Sequence, residues 1–237
     1  MKRYLKIITV FSLVIALFYA LIPHARADLN AIATDNFNRA DSASLGTNWT
    51  DVFADPIFKI SANTAIPSAL NTTDAGSFYT AVSFPSDQYS QAKITVTGTG
   101  GTGQGIGVSV RDDTAGAGNR YRVVADHAAS NNVRLIKIVA GAATTLWDRT
   151  KSFTDGDTLR LEIHGSVLQV FFNNVQLGAD TTDTELTSST AKPGIGYSSI
   201  ETSASVDDWE GGGFTKKETP SVIIQGGTII QGGTIIQ

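Results

Sequence analysis

From about Ile57 to Trp209 the chain is written in short stretches where apolar and polar residues alternate, and Gly, Asn, Asp or Ser interrupts them every ten or so positions. Period-2 alternation buries one face of a strand, and turn residues reverse it, so this pattern predicts antiparallel β-sheet. Phe78, Thr80, Val82 and Phe84 alternate with Tyr79, Ala81 and Ser83. After Pro85-Ser86-Asp87, Ala92, Ile94 and Val96 oppose Lys93, Thr95 and Thr97, and the two strands are expected to be neighbours. Ile106, Val108 and Val110 lead into Arg111, a polar loop from Asp112 to Asn119 turns the chain, and Tyr121 to Asp126 returns. Further strands are expected over 133–139, 144–147, 158–164, 167–172, 194–197 and 203–209. Beyond the first 27 residues no stretch carries a 3.6-residue apolar period, so helix is expected to be minor.

The N-terminus follows a different rule. Lys2, Arg3 and Lys6 precede an uncharged apolar stretch from Ile7 to Ile22, and Ala25-Arg26-Ala27 supplies the small-x-small pattern of a signal-peptidase site. Residues 1–27 are read as a secretion signal with Asp28 as the mature start. A retained anchor is the alternative, although the 16 apolar residues fall short of the ~17–25 of a membrane span. The chain has no cysteine, which excludes a disulfide and a lipoprotein anchor, so a secreted, bacterial-type domain must be held by its core. Cleavage leaves 14 basic against 22 acidic residues, a formal charge of −8, in about 210 residues. That balance argues against nucleic acid and anionic membrane as partners, since both demand basic patches.

Catalytic chemistry finds little purchase. Gly98-Thr99-Gly100-Gly101-Thr102-Gly103 fits G-x-G-x-x-G, but a phosphate loop needs a helix after it and the next segment alternates as a strand; a hairpin loop is expected. The chain has five Glu, at 162, 185, 201, 210 and 218, and none begins the E-x-D-x-x-E pattern that would set two carboxyls on one strand face. Asp155 and Asp157 fall in a turn before a strand. After the signal only His127 and His164 remain to serve a serine triad. His127 sits at a turn, and His164 alternates with Arg160 and Glu162 on what reads as a solvated face.

Several segments in order resemble concanavalin A-like (laminin-G-like) jelly-roll domains. These are Asp35-Asn36-Phe37-Asn38-Arg39-Ala40-Asp41 with Leu45-Gly46 and Asn48-Trp49, read as the first strand, and Val108-Ser109-Val110-Arg111 with Asn119-Arg120-Tyr121-Arg122. Gly156-Asp157-Thr158-Leu159-Arg160-Leu161-Glu162 with Gly165 and Asn173-Asn174, and the closing Val206-Asp207-Asp208-Trp209, complete the set. Asn174 stands where Gly is usual, a substitution Asn tolerates because it visits positive φ. The resemblance implies an all-β antiparallel sandwich over 28–213, in a superfamily holding lectins, carbohydrate-binding modules, glucanases and adhesive domains. It also implies a structural calcium where first and last strands meet, with Asp35, Asp207 and Asp208 as ligands. Pairing of these carboxylates with Arg39, or their use in turns, is the alternative. For sugar binding, an aromatic plate and fixed hydrogen-bond partners are needed; Trp147 and Tyr121 are the candidate plates, and Arg111, Arg122 and Asp126 the candidate partners. Trp49 and Trp209 are expected to pack structurally, and Trp147 to serve either as core or as plate.

Residues 214–220 read as a polar hinge, and 221–237 contain Val222-Ile223-Ile224-Gln225 followed by GGTIIQ twice. An uncharged, β-branched hexapeptide resembles zipper segments that pair with copies of themselves. The first rungs of a β-helix and a disordered extension are the alternatives. The sequence therefore points to a secreted or cell-surface, non-catalytic sandwich that binds glycan. A structural protein assembling through its tail and a glycoside hydrolase are the other readings.

Overall fold

A computed structural model describes residues 28–52, 57–68, 75–95, 105–113, 118–126, 131–198 and 204–215, with the backbone of 223–225 and 228–230. Leu29–Phe214 form one compact unit, and residues 1–28 with 215–237 form another. The strands, in chain order, are β1 (Asp28–Asp35), β2 (Trp49–Asp51), β3 (Phe58–Ser61), β4 (Thr64–Pro67), β5 (Ala75–Tyr79), β6 (Gln88–Thr95), β7 (Gly105–Asp112), β8 (Arg120–Asp126) and β9 (Asn132–Val139). They continue with β10 (Ala142–Thr150), β11 (Asp157–His164), β12 (Val167–Phe172), β13 (Val175–Gln176), β14 (Thr181–Thr182), β15 (Lys192–Ser198), β16 (Ser205–Thr215), β17 (Ile223–Gln225) and β18 (Thr228–Ile230). Among the described residues there is no helix.

Two antiparallel sheets make a sandwich. The nine-stranded sheet runs β13-β12-β11-β6-β16-β4-β3, with β1 beside β16 and β14 beside β12; the seven-stranded sheet runs β10-β9-β8-β7-β15-β5-β2. The core between them takes alternate residues from each, Ala92, Ile94, Leu159, Leu161, Ile163, Leu168 and Val170 from one sheet and Val108, Val110, Tyr121, Val123, Leu135, Ile195 and Tyr197 from the other. Each buried aliphatic side chain contributes about 1.5–3 kcal/mol. At one end Trp49 lies 4.7 Å from Trp209 edge to face, and Tyr79 stacks on Trp209 at 5.2 Å, so the first and last tryptophans of the sequence pack structurally as expected.

Three features differ from the expectation. β5 ends at Tyr79, and Val82 beyond it is 37% exposed, its carbonyl accepting from Lys192 Nζ. β5 and β6 are not neighbours: Pro85-Ser86-Asp87 carries the chain from the seven-stranded sheet to the nine-stranded one. Likewise β6 and β7 belong to opposite sheets and are not neighbours; 98–103, between them, lies outside the described residues. The β3–β4 hairpin was not legible, since its two central residues are Ala62 and Asn63 at φ 50° and 62°, and Ala gives no signal for a left-handed position. Asn173 and Asn174, at φ 48° and 64°, do close the β12–β13 hairpin in the way their residue type allows.

Candidate functional site

The segment Asp35–Trp49 is a clasp, and it does not form the expected first strand, since β1 ends at Asp35 and the motif follows it. Asp35 accepts from Arg39 Nη1 at 2.6 Å and Nη2 at 3.1 Å, from Trp49 Nε1 at 2.8 Å and from the Phe37 amide at 2.9 Å. Arg39 Nη2 also donates to the Leu45 carbonyl at 2.7 Å. One carboxylate thus ties together the end of β1, a turn in which Phe37 takes φ 51°, and the tryptophan that packs on Trp209.

Beside this clasp β16 carries a bulge: Asp207 pairs with Lys93 and Glu210 with Gln91, so three steps on β16 face two on β6. The bulge, with Asp208 at φ 46°, leaves a hollow of about 410 Å³ lined by Thr34, Asp35, Asn36, Asp208, Trp209 and Glu210. Its carboxylates are held from behind. Glu210 Oε1 accepts from Tyr89 Oη at 2.5 Å and Gln91 Nε2 at 3.1 Å, and Asp208 Oδ2 accepts from Lys93 Nζ at 2.7 Å. Among the described residues Glu210 Oε2 and Asp208 Oδ1 make no hydrogen bond, and neither does Asn36 Nδ2. The hollow therefore presents oriented acceptors and an amide donor. Burial raises the Asp207 carboxyl above its ordinary value, and the nearby Asp208 and Asp35 charges push the same way. Burial, reinforced by Glu210, lifts the Tyr89 phenol well above its usual range, so it donates at every physiological pH.

Asp35, Asp207 and Asp208 do come to one place, as the resemblance implied. Two of the three are already paired with cations, Asp35 with Arg39 and Asp208 with Lys93, and among the described residues no group of three acidic or imidazole side chains is placed to hold a metal.

The five expected sugar-contacting residues are not brought together. Arg111 sits at a second bulge, φ 57°, where Lys192 pairs with Asp112 and Gly194 with Ser109. Its guanidinium is buried, donating to the carbonyls of Leu186, Gly165 and Ser86. Tyr121 is buried in the core with Oη donating to Asp183 Oδ1 at 2.6 Å and accepting from the Leu186 amide at 3.2 Å. Both residues anchor the 183–186 segment, and neither offers a surface to a ligand. Trp147, opposite Leu135 on edge strand β10, is half-buried against the core. Arg122 and Asp126 alternate with the core positions of β8 and so lie on the outer face of the seven-stranded sheet, but both are buried there. Arg122 Nη1 donates to the carbonyls of Tyr197 at 2.6 Å and Ala75 at 3.1 Å; Asp126 is gripped by Arg134 Nε at 2.5 Å and Nη2 at 3.0 Å.

The same outer face holds Asp112, 2% exposed, which accepts from Ser109 Oγ and lies 3.8 Å from Arg120 Nε. Burial pushes its carboxyl up to about 7 against the opposing pull of Arg120, Ser109 and Arg122. On the nine-stranded sheet, Arg160, Glu162 and His164 do alternate with Leu159, Leu161 and Ile163, yet the face is not solvated: Arg160 is 3% and Glu162 1% exposed. Arg160 Nε donates to Glu162 Oε1 at 2.8 Å, Glu162 Oε2 meets His164 Nε2 at 3.2 Å, and Phe214 covers His164 with ring centroids 3.9 Å apart. His127 lies outside the described residues.

Thr34, Asn36 and Glu210 were missed as site residues. Asn36 stood within a quoted motif and Glu210 one residue past another, but only the bulge and the β1–β16 pairing bring them to one hollow.

No family model matches the chain, and no curated protein matches it. Solved structures do. The VIP36 exoplasmic/lumenal domain in its Ca2+/Man3GlcNAc-bound form is 12% identical, with 79% of this chain and 92% of that one covered at a TM-score of 0.53. These likenesses extend to the two-sheet antiparallel β-sandwich fold. A structure described with endo-acting O-glycanases of the human gut microbiota is 11% identical, covering 78% of this chain and 100% of that one at a TM-score of 0.54. The carbohydrate-binding module CBM66 from Bacillus subtilis is 19% identical, covering 72% and 96% at a TM-score of 0.48.

Proposed function

We propose that the chain is a secreted carbohydrate-binding sandwich, of the concanavalin A-like kind, that takes sugar hydroxyls in the hollow between β1 and β16. The observation that supports this reading is the set of polar atoms there, Glu210 Oε2, Asp208 Oδ1 and Asn36 Nδ2, two of them on carboxylates fixed from behind by Tyr89, Gln91 and Lys93. Vicinal hydroxyls bind to acceptors and donors whose positions are set before the ligand arrives, because little ordering entropy remains to be lost. A volume of about 410 Å³ suits one or two sugar rings.

The test is retention of the protein from Asp28 onward on a panel of insoluble polysaccharides, with Asn36→Ala and Asp208→Ala compared in parallel. Loss of retention by about tenfold in both variants, with melting temperatures held, is the expected result. Equal retention of the variants would remove the hollow as the site, and release of reducing sugar by the unaltered protein would replace binding with hydrolysis.

A further inference from the structure

We propose that the C-terminal tail is a homotypic strand-pairing element, whose partner is the same hexapeptide repeat in a second copy of this chain. β17 and β18 form a two-stranded antiparallel sheet in the register Ile223 with Ile230, Ile224 with Ile229 and Gln225 with Thr228. The two residues between the strands are Gly226 and Gly227, the pair that fits a two-residue hairpin turn because both of its central positions take positive φ. Ile-Ile-Gln-Gly-Gly at 223–227 recurs at 229–233, and Thr-Ile-Ile-Gln at 228–231 recurs at 234–237. A six-residue period is four residues of strand plus two of turn, so each repeat encodes the same strand in the same register as the last. Nothing in such a code distinguishes a neighbour in the same chain from the identical repeat of another.

The backbone of this small sheet has a use for that neighbour. Its strands are three residues long, no third strand pairs with either among the described residues, and a lone two-stranded hairpin is marginal in water. Among the described residues each strand thus has one edge of N–H and C=O groups without a strand beside it, an edge that suits addition. Residues 221–237 contain no charge and no proline to block it. The sandwich guards its own edges differently: edge strand β10 carries exposed Asp148 and Arg149, and edge strand β3 carries Lys59. Pairing through the tail needs nothing from the hollow, so the inference stands apart from glycan binding. It adds to that reading, since clustered copies would hold a multivalent glycan far longer than one.

The experiment is sedimentation velocity of the chain from Asp28 to Gln237, from about 1 to 100 µM, beside Ile224→Lys/Ile229→Lys in the same chain. The unaltered chain is expected to shift to dimers and larger species with concentration, and the variant to remain monomeric with its polysaccharide retention and melting temperature intact. A free peptide of sequence 221–237, in excess, is expected to lower the association of the unaltered chain. A monomeric unaltered chain throughout, or equal association of the variant, overturns the proposal.

Discussion

The outer faces of the two sheets each bury an arginine, and they satisfy it by different means. On the seven-stranded sheet Arg122 reaches from β8 to carbonyls on β15 and β5 past Gly196, where a β-carbon would lie 2.8 Å from Arg122 Cδ. On the nine-stranded sheet Arg160 has side chains around it, and it pairs with Glu162, reaches Gln91 at 3.2 Å and Asn174 at 2.6 Å, and lies 4.5 Å from the centre of the Phe171 ring. Arg122 meets main-chain carbonyls over the bare floor of a glycine, and Arg160 meets a network of side chains. The first arrangement forbids bulk nearby; the second forbids loss of any one partner.

This contrast can be broken at several points. The largest effect is expected from Arg160→Met, which leaves the Glu162 carboxylate buried without its guanidinium and should cost about 3–5 kcal/mol in urea unfolding. Adding Glu162→Gln should recover part of that loss, and a double variant as unstable as the single would show that the pair does not act as a unit. Gly196→Val should follow at about 2–3 kcal/mol, because valine must displace Arg122 from its carbonyls. If it melts with the unaltered protein, the bare floor is not needed.

A third prediction concerns pH. Burial raises the Asp112 carboxyl from the ordinary carboxylate range to about 7 in the folded state, so between about pH 4 and 7 the folded state binds the proton that the unfolded chain has lost. Stability from this group is therefore fully present below pH 4 and declines as pH rises to 7, with a slope of up to about 1.4 kcal/mol per pH unit. Asp112→Asn should flatten the unfolding free energy over that window; an unchanged slope would place the titration elsewhere. The smallest effects belong to the hollow. Asp208→Ala removes an exposed ion pair with Lys93, so its melting temperature should stay within about 2 °C while polysaccharide retention falls. Calcium titration should move that temperature by less than about 1 °C, since Arg39 and Lys93 already occupy the carboxylates.

The sandwich was legible because its core strands obey the two-residue period: Leu159, Leu161 and Ile163, or Val108 and Val110, could face only inward. What escaped were features that the period does not encode. Ala62-Asn63 turns the β3–β4 hairpin without a glycine, and Pro85-Ser86-Asp87 changes sheets where it read as a turn between neighbours. Residue type also misled at Arg111 and Tyr121, whose polar atoms serve the 183–186 segment, and at Arg160 and Glu162, whose charges are buried together. The hollow rests on a bulge, and a bulge is one extra residue with no mark of its own in the pattern. Asp35, Asp207 and Asp208 could be grouped in advance only through the resemblance of the chain's first and last motifs.

β1 lies beside β16, and Thr215 Oγ1 donates to the Asp28 carbonyl at 3.2 Å, so the chain enters and leaves the sandwich at nearly the same point. A domain with adjoining ends can be spliced into a surface loop of another protein without prying that loop apart, or have its ends joined and reopened elsewhere. The 140–141 turn between β9 and β10, at the sheet edge, is a natural place to reopen it. The strand pairing that closes this sandwich thus makes it a portable cassette.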